Sequence, residues 1–202
     1  MHIKIVRHSE RLDFSYPLYW LMCIGQYWAD TPLTQNGHEL AFDKGKQMAT
    51  ESIKFNPKQI YTSPYNRTMS TATEIKSSFP QCEIIIEPLL AEYQPMRKHC
   101  INLYPNGIPT TYEGEKIDFE YPETYDNFRH RVNFIIGKLI EKHDDDIIVV
   151  THSEVLKVYI NYIQMMYPDL MLDSGSTPYL TTLSFEYDKS KNAIVESSVR
   201  LN

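Results

Sequence analysis

The chain has 202 residues, a net charge of −6 and a pI of about 5.6, a length that suits one sizeable domain and an acidity that argues against a broad basic face for nucleic acid or anionic lipid. Twelve scattered prolines and only seven glycines mark no linker, and no internal repeat is visible. Cys23, Cys82 and Cys100 are odd in number and show no metal-type spacing, and no apolar run is long enough to cross a bilayer, so the reading is one domain over residues 1–202, cytoplasmic, with reduced thiols and no nucleic-acid or membrane partner.

Ile3 to Val6 is a short apolar run ending in Arg7-His8, which suits a buried strand that delivers its last residues to a loop. Residues 12–30 show no clear period, yet hold Phe14, Tyr16, Tyr19, Trp20, Tyr27 and Trp28 and no Lys or Arg, and they read as an aromatic loop or lid. Leu40, Ala41, Gly45, Met48, Ala49 and Ile53 recur at helical spacing, with Thr34 or Asn36 placed to cap the start. Gln59 to Thr62 is a second short strand, a helix with Ala72 and Ile75 follows Pro64, and Cys82 to Glu87 is a third strand.

Residues 94–122 read as a second excursion, broken by Pro95, Pro105, Pro109 and Pro122 and weighted with tyrosines. Phe128, Val132, Ile135, Ile136, Leu139 and Ile140 then form the strongest amphipathic helix in the chain. Ile147 to Val150 is a β-branched run ending in Thr151-His152, as a central strand buried on both faces should be. A helix through Val155, Leu156, Tyr159, Ile160 and Ile163 follows, and strands at about Tyr179–Tyr187 and Ala193–Arg200 close the chain around a turn at 188–192. Strands alternating with helices predict a three-layer α/β/α sandwich on a mostly parallel central sheet.

Two strands thus end on histidines, His8 and His152. A lone histidine is more often a core or capping residue than a catalyst, but ligands of open parallel sheets sit beyond the carboxyl ends of the strands, and both histidines are aimed there. A metal shared by the two is not expected, because no Asp/Glu pattern completes a ligand set.

Here the chain resembles the histidine phosphatase superfamily, which also includes the cofactor-dependent phosphoglycerate mutases. Arg7-His8-Ser9-Glu10 resembles its Arg-His-Gly-Glu box, Thr31-Pro32-Leu33-Thr34-Gln35-Asn36-Gly37 its Thr-Pro-Leu-Thr-x-x-Gly segment, and Ser63-Pro64-Tyr65-Asn66-Arg67 its Ser-Pro-x-x-Arg box. Leu90-Ala91-Glu92 and Val150-Thr151-His152-Ser153 are similar to its acid segment and second histidine box, in the same order along the chain. Ser9 stands where the family usually has Gly, and fits if its φ is negative. Glu123-Thr124-Tyr125-Asp126 resembles the segment before the matching helix in the phosphatase domains of the suppressor of T-cell-receptor signalling proteins.

The resemblance implies a phosphomonoesterase in which neutral His8 attacks phosphorus and is phosphorylated. Glu92 would act as general acid, and Arg7, Arg11, Arg67 and His152 would hold the phosphate oxygens. No cofactor and no metal are implied. The aromatic excursions favour a bulky or aromatic ester, from a phosphorylated small molecule or a phosphoprotein, over a small doubly anionic substrate. A phosphoglycerate mutase and a non-catalytic phosphate-binding domain are the alternatives, and a homodimer is left open.

Overall fold

The computed structural model describes residues 1–23, 30–51, 54–94, 111–116 and 122–202. Strand β1 (His2–Arg7) is followed by two short helices, α1 (Leu12–Ser15) and α2 (Pro17–Cys23), and by α3 (Gln35–Glu51). Then come β2 (Gln59–Thr62), α4 (Asn66–Lys76), β3 (Glu83–Ile86) and a hairpin of β4 (Thr111–Tyr112) and β5 (Glu115–Lys116). The last part holds α5 (Tyr125–Lys142), β6 (Ile147–Thr151), α6 (Ser153–Met166), β7 (Thr182–Asp188), β8 (Ala193–Ile194) and β9 (Arg200–Leu201).

The sheet runs β3-β2-β6-β1-β7-β8, with β9 also on β7. The four strands from β3 to β1 are mutually parallel, and β7 turns the sheet antiparallel against β1. This is the predicted fold: a mixed, mostly parallel sheet with helices on both faces. All five residues of β6 are buried, because a strand covered on both sides has no polar face.

Period-2 alternation divides β1 and β6 between two cores. Ile3, Ile5, Ile147 and Val149 pack with α5 and α6, while Val6, Ile148 and Val150 pack with Met48 of α3 and Ala72 and Ile75 of α4. All six apolar residues predicted for α5 are buried, each a side chain of the kind that contributes about 1.5–3 kcal/mol on leaving water. Helices α3 and α4 cross where Gly45 sits; a Cβ there would stand 2.9 Å from the Ile75 backbone.

Four details differ from expectation. Leu12–Ser15 and Pro17–Cys23 are helical, not irregular: each helix is too short to show a periodic stripe, and of residues 12–22 Trp20 alone is buried. The buried stripe of α3 is Gly37, Ala41, Gly45 and Met48, with Leu40 exposed, and Thr34 is the cap, its Oγ1 accepting from the Gly37 N–H at 2.7 Å. The last predicted strand is cut in two by a helical turn at Glu196–Ser198, where Ser198 Oγ takes over a ladder bond by accepting from Glu186 N at 2.8 Å. Of the 94–122 excursion, the described backbone beyond Gln94 is the β4–β5 hairpin, turning through Glu113 and Gly114 at φ 48° and 88°, together with Pro122. Tyr27, Trp28, Ile53, Cys100, Tyr104 and Tyr121 lie outside the described residues.

Cys82 is a free thiol whose Sγ lies 3.1 Å from the Pro57 carbonyl, and burial pushes its pKa up to about 11. Among the described residues, no helix is long and apolar enough to cross a membrane.

Candidate active site

Three neighbouring parallel strands, β2, β6 and β1, end at one edge of the sheet, and each releases a polar residue there: Ser63, His152 and His8. The ladder continues one step past β1 and β2. His8 N donates to Thr151 O at 2.8 Å and Ser63 N to Val150 O at 3.1 Å, so these two residues leave a rigid frame, and His152 follows directly on the buried β6 between them. The apolar runs that made the strands legible also fix where the chemistry-bearing residues stand.

His8 is buried, with Nδ1 2.8 Å from the carbonyl oxygen of Ser9. A carbonyl only accepts, so the neutral ring carries its proton on Nδ1 and leaves the Nε2 lone pair free. Burial, with Arg67 next and Arg7 and Arg11 further behind, holds the His8 pKa well below 6.5 against the opposing Ser9 bond. The ring is therefore neutral at pH 7. Among the described residues the non-glycine positions with positive φ are Glu113, Leu180 and Asn192, so Ser9 sits in the glycine position of the box without strain.

His152 is fully buried, with its ring centroid 5.4 Å from that of His8 at 66°. Its Nε2 lies 2.8 Å from Ser63 Oγ, which leaves Nδ1 as the nitrogen that faces Glu92 Oε2, 3.6 Å away. If the Ser63 hydroxyl donates to Nε2, Nδ1 carries the proton and is free to donate. Burial and then Arg67 hold this pKa well below 6.5 as well.

Arg67, the second residue of α4, is fully buried. Its Nη2 donates to Glu92 Oε2, its guanidinium stacks 4.3 Å from the Tyr65 ring centroid, and Nη1 is 3.9 Å from Asp30 Oδ1. Arg7 donates from Nη1 to the Thr177 carbonyl and stacks 4.5 Å from the Tyr179 centroid. Arg11 is already spoken for: Nε and Nη2 bind Asp13 at 3.0 and 2.6 Å, and its guanidinium lies 4.6 Å from the Phe14 centroid. Its charge still reaches His8, His152, Arg7 and Arg67.

Among the described residues, four buried nitrogens in this cluster have no hydrogen-bond partner: Arg7 Nε, Arg67 Nε, Arg67 Nη1 and His152 Nδ1. Buried donors left unmatched are costly, and a compact anion with several acceptor oxygens matches them. Glu10, from the same box, does structural work instead. Its carboxylate accepts from Thr34 Oγ1 at 2.6 Å and Asn36 Nδ2 at 3.2 Å, and Gly37 lets α3 approach so closely that a Cβ there would lie 2.5 Å from the Glu10 carbonyl oxygen.

The structure thus brings His8, His152, Arg67 and Glu92 into contact, with Arg7 sharing the Tyr179 ring with His8 and Arg11 held by Asp13. Sequence reasoning missed Ser63, Tyr65 and Tyr179. Ser63 was within reach of the strand-end argument, since it follows β2 as His8 follows β1. Tyr65 packs edge-on to His152 with centroids 4.9 Å apart, and Tyr179 lies 5.9 Å from His8. The sequence places Tyr179 first in the strand at about Tyr179–Tyr187, but β7 starts at Thr182, and the tyrosine lies in the segment before it, beside His8.

The two depressed histidines set a pH dependence. Below about 6.5 the unfolded chain takes up protons on His8 and His152 that the folded protein refuses, so ν in the unfolded state exceeds that in the native state and stability falls with falling pH. Their share of the stability is fully present above about 6.5. The expected result is a urea midpoint that is flat from pH 8 to 7 and declines below 6.5, with a shallower decline in His8→Ala; equal slopes would show that His8 does not resist protonation.

A family model, histidine phosphatase superfamily (branch 1), matches residues 3–199. An uncharacterized phosphoglycerate mutase family protein of Acanthamoeba polyphaga mimivirus is 62% identical over 202 residues, covering 100% of this chain and 98% of its own. Among solved structures, the ecdysone phosphate phosphatase of Bombix mori, in complex with tungstate, is similar with a TM-score of 0.59 at 20% identity, covering 96% of this chain and 91% of its own. The alpha-ribazole phosphatase of Shigella flexneri is similar with a TM-score of 0.60 at 19% identity, covering 100% and 95%.

Proposed function

Since the chain belongs to the histidine phosphatase superfamily, we propose that it is a phosphomonoesterase working through phosphorylated His8. One observation carries this reading: a buried neutral histidine, with Nδ1 tied to the Ser9 carbonyl, stands among buried arginine and histidine donors that lack partners among the described residues.

The steps follow from the residues. Arg7, Arg67 and His152 Nδ1 hold the phosphoryl oxygens and offset the charge that repels a nucleophile. The His8 Nε2 lone pair forms the P–N bond as the P–O ester bond breaks, and the leaving oxygen takes the Glu92 proton. Water then attacks phosphorus, gives its proton to the Glu92 carboxylate, and the P–N bond breaks to return His8 and inorganic phosphate. Arg11, engaged by Asp13, contributes through its field.

The substrate's body is bulky and apolar or aromatic in this reading. Phe14 is 70% exposed beside Arg11, and Tyr16, Leu18, Tyr19, Leu21 and Met22 are also exposed along α1 and α2. Tyr179 adds an aromatic wall next to His8. Two likenesses support this reading: the sequence Glu123-Thr124-Tyr125-Asp126 resembles a segment of the phosphatase domains of the suppressor of T-cell-receptor signalling proteins, and the similar Bombix mori structure is named for an ecdysone phosphate.

The deciding comparison is kcat/KM for naphthyl phosphate against 3-phosphoglycerate, with a parallel assay for 2- to 3-phosphoglycerate interconversion. The expected preference for the aryl ester is at least about tenfold, the scale of modest apolar contacts in a pocket. Rapid interconversion with negligible phosphate release would replace the phosphatase with a mutase.

A further inference from the structure

Outside the cluster that holds phosphate, Arg131 of α5 is the charged side chain with the most complete set of bonds. It is fully buried, and its fork is saturated: Nε and Nη2 donate to the two Glu123 carboxylate oxygens at 2.6 and 2.9 Å, and Nη1 to Leu89 O at 2.6 Å and Ala91 O at 2.9 Å. Nη2 also reaches Glu92 O at 3.5 Å. Glu123, itself buried, binds Gln94 twice more: its Oε2 accepts from Gln94 N at 3.2 Å and its N–H donates to Gln94 O at 2.9 Å. Leu90 O accepts from Thr151 Oγ1 at 2.9 Å, one residue before His152.

Every carbonyl from Leu89 to Glu92 is therefore claimed by a side chain of α5 or β6. Stability alone explains this poorly, because a buried ion pair is often replaced by apolar residues of equal volume without loss. What an apolar pair could not do is fix an irregular segment in one place. That segment ends in Glu92, whose carboxyl must stand within hydrogen-bond reach of a leaving oxygen, and a displacement of about 1 Å there costs on the order of a hundredfold in rate.

We propose that Arg131 and Glu123 are positioning residues for proton transfer, clamping residues 89–94 so that Glu92 meets the leaving group. The proposal rests on the reading of Glu92 as the general acid. A merely structural role would slow all substrates alike, whereas a misplaced acid slows the formation of phosphorylated His8 only for esters whose leaving oxygen needs a proton; the later water step is common to all of them and does not enter kcat/KM.

The experiment measures kcat and KM for an alkyl phosphate and for p-nitrophenyl phosphate in the wild type, Glu123→Gln, Arg131→Lys, Glu92→Gln and the double variant Glu92→Gln/Glu123→Gln, with circular dichroism melts alongside. Glu123→Gln keeps the shape of the clamp, so it decides the matter if Arg131→Lys fails to fold. The expected result is a loss of about 10- to 100-fold in kcat/KM on the alkyl ester, the range seen when a supporting partner is removed, with less than about threefold in kcat/KM on the aryl ester. The double variant should be no worse on the alkyl ester than Glu92→Gln alone. Equal losses on both esters, or additive losses in the double variant, overturn the clamp while Glu92→Gln still discriminates between them. If Glu92→Gln itself fails to discriminate, the acid role falls first and takes the clamp with it.

Discussion

His8→Ala is expected to lower kcat on an aryl phosphate by about 10⁴- to 10⁶-fold, the scale of removing a covalent nucleophile. No other described group replaces it, because the second imidazole, His152, has Nε2 bound to Ser63 and presents only Nδ1 to the cluster. Rapid quenching of the wild type with substrate should trap acid-labile, alkali-stable phosphate on the protein, and the alanine variant should trap none. The fold should survive. His8 leaves the sheet after β1, its backbone N–H bond to Thr151 O is kept by alanine, and the lost ring contacts are worth about 1–3 kcal/mol, within the ordinary range for one substitution. Turnover within tenfold of wild type would end the phosphohistidine mechanism.

Arg67→Met is expected to cost at least about 10³-fold in kcat/KM with little loss of stability. Both halves come from the same feature. The guanidinium is fully buried, and burial lowers its pKa by more than Glu92 and Asp30 raise it, so the charge is held in place against its own solvation. A methionine of similar length relieves that cost and keeps the packing on Tyr65, while two of the four unpartnered donors vanish. A third consequence separates charge from shape. Arg67 is the largest charge holding down the His8 pKa, so the residual activity should have its acid limb moved toward higher pH. A residual rate with an unshifted limb, or a melting temperature lowered by more than about 10 °C, would show that Arg67 is chiefly structural.

How much of this was legible before the structure depends on which kind of signal each part leaves. Strands β1, β2 and β6 and helices α5 and α6 carry long apolar runs or stripes because both faces of the sheet are covered, and those patterns survive in the sequence. His8 and His152 were legible through them, since a strand end at a parallel sheet edge is a place and not merely a residue. Helices α1 and α2 were not, because four and seven residues hold too few turns for a stripe. Leu40 misled for another reason: the buried face of α3 includes Gly37 against Glu10, Ala41, and Gly45 against Ile75 of α4, small residues that permit close approach and carry no hydrophobic signal. The Asp13 partner of Arg11 and the Leu89, Ala91 and Glu92 partners of Arg131 are set by tertiary contact. Nothing in the spacing of Arg131 from Glu92 announces that they meet.

The register of the sheet also bears on how the protein comes to be folded. Ile3 of β1 pairs with Ile147 of β6 and Phe185 of β7, so the strand that carries His8 finds its partners across most of the chain. By contrast β2, α4 and β3 are joined within about thirty residues, and such local units close loops at a smaller entropic cost and form early. Inserting β1 between β6 and β7 is therefore a late event, and a chain still growing from the ribosome cannot make it until β7 has emerged. His8 precedes Arg67, Glu92 and His152 in the chain, and β1 comes to lie beside them by pairing with β6. A chain truncated before β6 would lack both His152 and the strand on which β1 is seated, and is expected to assemble no phosphate cradle.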